Sequence, residues 1–215
     1  MAVLIISITM CNANGVDVGA GTLYKLDVVE DVWLERPTWN YNNHQWLIVG
    51  KLTQFPKKRS LLRFNDIPSA CTTVNHAMMY IYYSYSHKAC WHSVYQAPFI
   101  TCTIQAHRVL KSWKETEATT TMRYSGAPWH KAYLGLDDTG ANDCPTGQAT
   151  IYADRPAGFV ETEVTSAVKD WKDGKPNYGL LIWATNEDQD GRDTRFYSRS
   201  YNDSTKFAYI QLNCN

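Results

Sequence analysis

Apolar and polar residues alternate along most of the chain. The pattern is clearest from Ala77 to Ser86, where Tyr80 and Tyr82 share one face. The opposite face carries Ala77, Met79, Ile81 and Tyr83. A period of two residues predicts a β-strand with one buried side. Strands are also predicted at 23–34, 46–50, 60–64, 159–164, 195–198 and 207–214, and the apolar run at 178–183, interrupted only by its Gly, predicts a buried strand.

One segment follows a different period and predicts a short helix. Its apolar residues recur at spacings of three and four, the period of a helix face: Val164, Ala167, Val168 and Trp171. Thr165 stands at the expected N-cap, and Gly174 follows the helix with Pro176 beyond it, as at a C-terminal stop. The chain is therefore predicted to be mainly β with a single short helix.

Length and charge exclude several classes of protein. The chain has 215 residues, with Lys plus Arg equal to Asp plus Glu at 21 each. No basic field is present to attract nucleic acid, and no apolar run reaches the roughly 18 residues of a membrane helix. Without a repeat or a later linker, we predict one domain at 23–215, preceded by a separate segment at 1–22.

Residues 2–10 are apolar and rich in β-branched side chains. The side chains proposed for this strand are Val3, Leu4, Ile5, Ile6, Ile8 and Met10. The segment resembles the apolar core of a secretory signal cleaved after Ala13, although no basic residues precede it and Ser7 and Thr9 interrupt it. Alternatively, it adds a strand to its own sheet or inserts into a neighbouring subunit as a donor strand. The pattern alone does not choose between these.

Six cysteines and one sequon point to an oxidising compartment. The cysteines are Cys11, Cys71, Cys90, Cys102, Cys144 and Cys214. An even number in an aromatic-rich β chain favours disulfides, whose pairing stays open, and the lack of a CxxC pair argues against a zinc ribbon. Asn202 begins an Asn-Asp-Ser acceptor for N-glycosylation. We therefore predict an extracellular or cell-surface protein.

Three blocks of the chain resemble the DNRLRE-domain proteins. They are RSLLRFNDIP at 59–68, VLKSWKE at 109–115, and VTSAVKDW at 164–171 followed by NYGLL at 177–181. The resemblance covers roughly residues 25–213. It implies an extracellular module allied to an alginate-binding carbohydrate-binding family. The fold it implies is an antiparallel β-sandwich of jelly-roll type, here with one short helix and an extra N-terminal strand. The first 20 residues or so and the insert at 86–100, with Cys90-Trp91-His92, depart from the family.

A calcium site is the only cofactor suggested by a motif. Asn186, Asp188 and Asp190 match the first half of a calcium loop, with Gly191 at the turn. The twelfth position is Tyr197 rather than Glu, so a solvated hairpin turn is the favoured interpretation. The acidic loop at 137–143 has no calcium register. No other cofactor is expected.

Candidate catalytic groups are weak. The carboxylate pairs Glu115 with Glu117, and Asp137 with Asp138, are not placed across a cleft by any pattern. Cys90 with His92 could ligate a metal, but a disulfide is favoured, and GxSxG and HExxH motifs are absent. We predict that the protein is not an enzyme. The basic run at 55–59 is predicted to be a solvated face.

Aromatic residues carry the functional hypotheses. Those expected on loops or outward strand faces are Trp39, Trp46, Tyr80, Tyr82, Trp91 and Trp129, whereas Trp113, Trp171 and Trp183 are expected in the core. Exposed rings stack on sugars or form protein interfaces. The favoured hypothesis is a structural protein that self-assembles into a fibril by donor-strand insertion, with itself as partner. The alternative is a carbohydrate-binding module for a polysaccharide.

Overall fold

The computed structural model describes residues 21–52, 55–87, 102–132, 134, 138, 147–152, 155–185, 187 and 192–215. These contain twelve strands and one α-helix, α1 (Thr165–Lys172). The strands are β1 (Thr22–Leu34), β2 (Trp46–Lys51), β3 (Arg59–Phe64), β4 (Val74–His87), β5 (Cys102–Arg108), β6 (Met122–Tyr124), β7 (Ala127–Pro128), β8 (Gly147–Ile151), β9 (Gly158–Glu163), β10 (Leu180–Ala184), β11 (Arg192–Tyr197) and β12 (Tyr209–Cys214). A 3-10 turn covers Ser204–Lys206.

The strands form an antiparallel β-sandwich, as predicted. In the first layer, sheet A, β4 pairs on one side with β9 and on the other with β12 and β11 along successive parts of its length. The start of β1 and β2 extend this layer next to β12 and β11. The second layer, sheet B, has the order β1, β3, β10, β5, β8. A small hairpin of β6 and β7 lies outside both layers.

Strand β1 belongs to both sheets. Its residues Thr22–Asp27 pair with β12, and Val28–Leu34 pair with β3. The register shifts between Val28 and Glu30, at the point of transfer. A bulge of this kind bends a strand and lets it pass from one layer to the other. One continuous strand therefore joins the two layers.

The core lies between the sheets where the alternation predicts it. On β4, Ala77, Met79 and Ile81 are fully buried and Tyr83 is nearly so, while Tyr80 and Tyr82 point outward. Each such apolar side chain contributes about 1.5–3 kcal/mol by leaving water. A second, smaller cluster forms around Trp113 beyond sheet B.

The predicted helix is present, with one difference at its start. Val164, not Thr165, is the N-cap, and no side chain caps the helix. The Thr165 hydroxyl instead accepts a hydrogen bond from the backbone N–H of Ala77 at 3.0 Å, so it ties the helix to β4. Gly174 ends the helix with a φ of 92°, and its N–H donates to the Trp171 carbonyl at 3.1 Å. The stop at Gly174 is confirmed.

One predicted disulfide is present, between Cys71 and Cys214, 143 positions apart. It joins the connection between β3 and β4 to the end of β12. The remaining cysteines lie outside the described residues, namely Cys11, Cys90 and Cys144, as does the side chain of Cys102. The N-terminal side chains also lie outside them: Val3, Leu4, Ile5, Ile6, Ile8 and Met10.

The basic run at 55–59 is not a solvated face, contrary to the prediction. Lys58 is only 4% exposed, and its Nζ lies 3.2 Å from Oδ2 of Asp193. The guanidinium of Arg59 pairs with the buried carboxylate of Glu187. Acidic partners from distant parts of the chain neutralise these cations, so the run packs against the body of the protein.

Candidate functional site

The outward face of sheet A carries an array of aromatic rings, which we call the aromatic surface. Its members are Trp46, Tyr80, Tyr82, Tyr85, Phe159, Tyr197, Tyr201 and Tyr209. Seven of these residues are half-buried, and Tyr85 is 36% exposed. The array crosses three interstrand spacings, about 14 Å at the usual strand separation.

Strand register brings these rings together. Tyr82 on β4 lies opposite Phe159 on β9, and Tyr80 lies opposite Tyr209 on β12. At the far side of the sheet, Trp46 on β2 lies opposite Tyr197 on β11. Directly opposed side chains on one face are close enough to pack, so each ring limits the rotamers of the next. The array is therefore built into the sheet.

The rings pack both in parallel and edge to face. Tyr80 and Tyr209 stack at 4.7 Å between centroids with 10° between their planes. Tyr197 stacks on Trp46 at 4.7 Å and on Tyr201 at 3.7 Å. Phe159 stands nearly perpendicular to Tyr82, at 5.0 Å. Such contacts add about 0.5–1.5 kcal/mol per pair beyond the burial of area, so the surface is ordered without a ligand.

Cationic side chains border the rings. The Lys206 ammonium lies 5.3 Å from the ring centres of both Tyr197 and Tyr201. Lys25 lies 4.9 Å from the ring of Tyr209, and the Arg195 guanidinium lies 5.1 Å from that of Tyr85. Cations within about 6 Å of an aromatic face are attracted to it. Each cation also has an acidic partner: Lys25 pairs with Asp27, Lys206 with Asp203 and Arg195 with Asp193. The aromatic surface therefore combines apolar rings with ion-paired cations.

Phenol hydroxyl groups give the surface hydrogen-bonding capacity. Burial, and then the charge of Glu161, raise the pKa of Tyr80. Burial also raises the pKa of Tyr209. Both hydroxyl groups thus keep their protons at neutral pH and can donate. Hydrogen bonds from Ser84 and Tyr201 lower the pKa of Tyr197.

The structure separates the aromatic residues that the sequence grouped together. Trp46, Tyr80 and Tyr82 lie on the aromatic surface. Trp39 is 56% exposed but lies on the connection between β1 and β2, beside the Arg36 guanidinium at 5.0 Å. Trp91 lies outside the described residues.

The predicted exposure of Trp129 is wrong. Its ring is 4% exposed and belongs to the second core cluster with Trp113. Its indole N–H donates to the Thr119 carbonyl at 2.9 Å. Thr119 and Thr120 are buried in the same region. The turn at 116–124 therefore covers the indole, which sequence alternation does not indicate.

The sequence analysis missed five of the eight residues of the aromatic surface, namely Tyr85, Phe159, Tyr197, Tyr201 and Tyr209. In β12, Tyr209 alternates with the buried Ala208 and Ile210. The sequence pattern could therefore have placed the Tyr209 ring on the outer face. Phe159 and Tyr197 are outward in their strands by the same rule. Tyr201 lies in the connection between β11 and β12, where no periodicity marks it.

The described part of the structure does not support a metal site at the other candidate residues. Asn186, Asp188 and Asp190 lie outside the described residues, and the part of the chain that is described has no group of three His, Cys, Asp or Glu suited to a metal. Asn202 is exposed. Among the described residues, no helix has the length and apolar character needed to cross a membrane.

The carboxylates considered for catalysis have local structural partners. Glu117 pairs with Lys114 at 2.8 Å, while Asp138 is buried and accepts a hydrogen bond from the backbone N–H of His130 at 2.9 Å. Asp137 lies outside the described residues. Glu115 accepts two hydrogen bonds from the guanidinium of Arg199, each at 2.9 Å.

Glu115 belongs to an ionic cluster that fixes the connection between β11 and β12. The backbone N–H of Arg199 donates to Oδ2 of the buried Asp31 at 2.6 Å. The backbone N–H of Asp31 in turn donates to Glu115 at 2.9 Å. Burial raises the pKa of Asp31 to about 7. Because this connection carries Tyr201 and Lys206, the cluster holds one side of the aromatic surface in place.

The chain matches no protein-family model and none of the curated proteins. The resemblance to DNRLRE-domain proteins rests on the sequence blocks alone.

Proposed function

We propose that this protein is a non-enzymatic extracellular module that binds an extended polysaccharide on its aromatic surface. The observation that carries the proposal is the preordered array of eight rings on the outer face of sheet A. Sugar rings have an apolar C–H face that packs on aromatic side chains, and Tyr hydroxyl groups supply hydrogen bonds at the same site. A width of about 14 Å accommodates several sugar residues in a row.

The charge around the rings favours an acidic polysaccharide. Lys25, Arg195 and Lys206 each lie against a ring of the surface. Carboxylate groups of a uronic acid polymer would meet these cations while the sugar rings meet the aromatic residues. The DNRLRE-like sequence blocks imply the same ligand class. The Cys71–Cys214 disulfide supports an oxidising, extracellular location.

The test is retention on immobilised alginate, compared with a neutral polysaccharide. Tyr82→Ala removes a ring near the centre of the surface and should lower affinity about tenfold, or about 1.4 kcal/mol. Trp39→Ala is the matched control, because that indole is exposed but lies apart from the surface. Near-UV circular dichroism of both variants checks that they fold. Retention of Tyr82→Ala equal to that of the wild type would contradict the proposal.

Self-assembly is a second candidate function, supported by a separate observation. Thr22–Asp27 pair with β12 along one edge, and within the described part of the chain no strand pairs with the other edge of this segment. The apolar residues 2–10 lie just upstream. An open edge is a template for an added strand. The second proposal is a structural protein whose N-terminal strand inserts into the next subunit and builds a fibril by head-to-tail contacts.

Deletion of residues 1–13 tests this second proposal. The shortened chain should remain a folded monomer by light scattering, whereas the full chain should form filaments visible by electron microscopy. Ile5→Asp in the full chain should have the same effect, because a buried unpaired charge opposes insertion. Unchanged filaments after the deletion, or a full chain that stays monomeric, would rule out assembly of this kind.

A further inference from the structure

Three residues lie in a row across the edge of the sandwich. Gly50 on β2 pairs with Asp193 on β11, and on its other side it forms a bridge with Lys58. The two backbone hydrogen bonds of that bridge measure 2.9 and 2.7 Å. Gly50 lies between Lys58 and Asp193 in this row and has no side chain to separate them. The Lys58 ammonium reaches Oδ2 of Asp193 at 3.2 Å.

The pair is buried among aromatic rings. Lys58 is 4% exposed and Asp193 is fully buried. The Lys58 ammonium lies 5.5 Å from the centre of the Phe55 ring and 5.9 Å from that of Trp33. Oδ1 of Asp193 accepts no hydrogen bond from the described residues. A buried ion pair with an unsatisfied oxygen keeps a large desolvation cost, which a neutral product would remove.

A second carboxylate faces the same ammonium. Oε1 of Glu35 lies 3.7 Å from Nζ of Lys58, and Glu35 is itself buried. The Tyr41 hydroxyl donates to the other oxygen of Glu35 at 2.9 Å, which orients the carboxylate. Two further cations border the group. Arg195 lies 3.7 Å from Oδ2 of Asp193, and Arg36 lies 3.7 Å from Glu35.

We propose that Lys58 and Asp193 form an intramolecular isopeptide bond, with Glu35 as the general base. Glu35 removes a proton from the ammonium, and the resulting amine attacks Cγ of Asp193. A new C–N bond forms, one C–O bond of the carboxyl group breaks, and the oxygen leaves as water with two of the three ammonium protons. The balance is –NH₃⁺ plus –COO⁻ giving –CO–NH– plus H₂O. No oxidant or cofactor is consumed.

The geometry suits this reaction because the reacting groups are already in contact. Fixed proximity replaces a collision between two groups by a step within one molecule. A base at 3.7 Å can accept the proton after a small movement. Arg195 beside Asp193 can stabilise the negative charge that develops on the carboxyl oxygen during attack. The product covalently joins Lys58, the residue just before β3, to Asp193 in β11, across 135 positions of the chain.

The experiment is mass spectrometry of the full chain, purified in the folded state and then reduced. The wild type should be lighter than its linear sequence by one water, and trypsin should release a branched peptide that contains both Lys58 and Asp193. The matched controls are Lys57→Arg and Lys58→Arg, which keep the positive charge. Lys57→Arg should form the bond, and Lys58→Arg should not, because a guanidinium is not acylated here.

Two further variants test the chemistry. Glu35→Gln should slow bond formation by at least about 100-fold, the usual contribution of a general base. Asp193→Asn should give the same branched peptide with loss of ammonia in place of water. A folded wild type with its full linear mass would overturn the proposal, whatever the variants do. A branched peptide that joins other residues would overturn it as well.

Discussion

Two buried titratable residues, Asp31 and His107, have pKa values displaced in opposite directions. Burial raises that of Asp31 from 3.8 to about 7. Burial, and then the charge of Arg59, lower that of His107 from 6.5 to about 4. Between about pH 4 and 6.5, Asp31 is protonated in the folded protein and ionised in the unfolded chain. In the same range, His107 is neutral in the folded protein and protonated in the unfolded chain. The two effects on stability are therefore opposed.

We predict that these contributions largely cancel between about pH 4 and 6.5 in the wild type. The Asp31 contribution makes stability fall as pH rises, and the His107 contribution makes it rise. Asp31→Asn should leave the second effect, so that stability rises with pH by up to about 1.4 kcal/mol per unit. His107→Gln should leave the opposite slope. Urea unfolding followed by Trp fluorescence measures both, and variants with the slope of the wild type would refute the assignment.

For individual residues, the sequence predicts well which face of a strand a side chain occupies. It predicts long-range ion pairs poorly. Alternation alone places Met79 inside and Tyr80 outside. A basic run is usually solvated, yet Lys58 is buried because the carboxylates of Glu35 and Asp193 neutralise its charge. Both partners lie far from Lys58 along the sequence. No spacing rule connects positions so distant, since only the folded register brings them together.

The connection between β11 and β12 is the element on which the aromatic surface depends most. It carries Tyr201 and Lys206, and side chains from several segments hold it. Oγ of Ser198 donates to the His44 carbonyl at 2.6 Å. Arg199 adds the bonds to Glu115. The connection is therefore anchored at its start, immediately before Tyr201.

We predict that Arg199→Ala loosens this element without unfolding the sandwich. The Arg199 side chain is 40% exposed, so the loss should be only about 1 kcal/mol. Amide hydrogen exchange should speed up at 198–206 and stay unchanged in β4. Lys114→Ala is the control, because it breaks an exposed ion pair on the neighbouring segment. Equal exchange in Arg199→Ala and the wild type would show that the cluster does not hold the connection.

The bounds of the strands and the helix were more predictable than the pairing of the strands. The strands β1, β2, β4, β9 and β12 and the helix lie within a few residues of their expected bounds, because period and stop signals are local. The sequence predicted only three of the eight residues of the aromatic surface, since the surface arises when β9 and β12 flank β4 and bring Phe159 and Tyr209 to Tyr80. Pairing order between strands is a property of the whole fold.

For the whole molecule, the disulfide between Cys71 and Cys214 has the longest reach of the described covalent links. It closes a loop of 143 positions, which strongly restricts the unfolded chain. We predict that Cys71→Ser with Cys214→Ser costs about 2–5 kcal/mol and lowers the melting temperature. Calorimetry of the wild type and the double variant measures this. An unchanged melting temperature would show that the bond does not stabilise the fold.

The position of this disulfide also decides how the molecule responds to tension. The ladder between β1 and β12 begins at Thr22 and Cys214 and comprises six pairs, ending at Asp27. A force applied at the start of β1 loads the hydrogen bonds of these pairs one after another rather than all at once. The Cys71–Cys214 bond keeps β12 in place, so β1 alone peels until it passes into sheet B at Val28. Thr22–Asp27 can thus detach and lengthen under force while both layers of the sandwich stay intact.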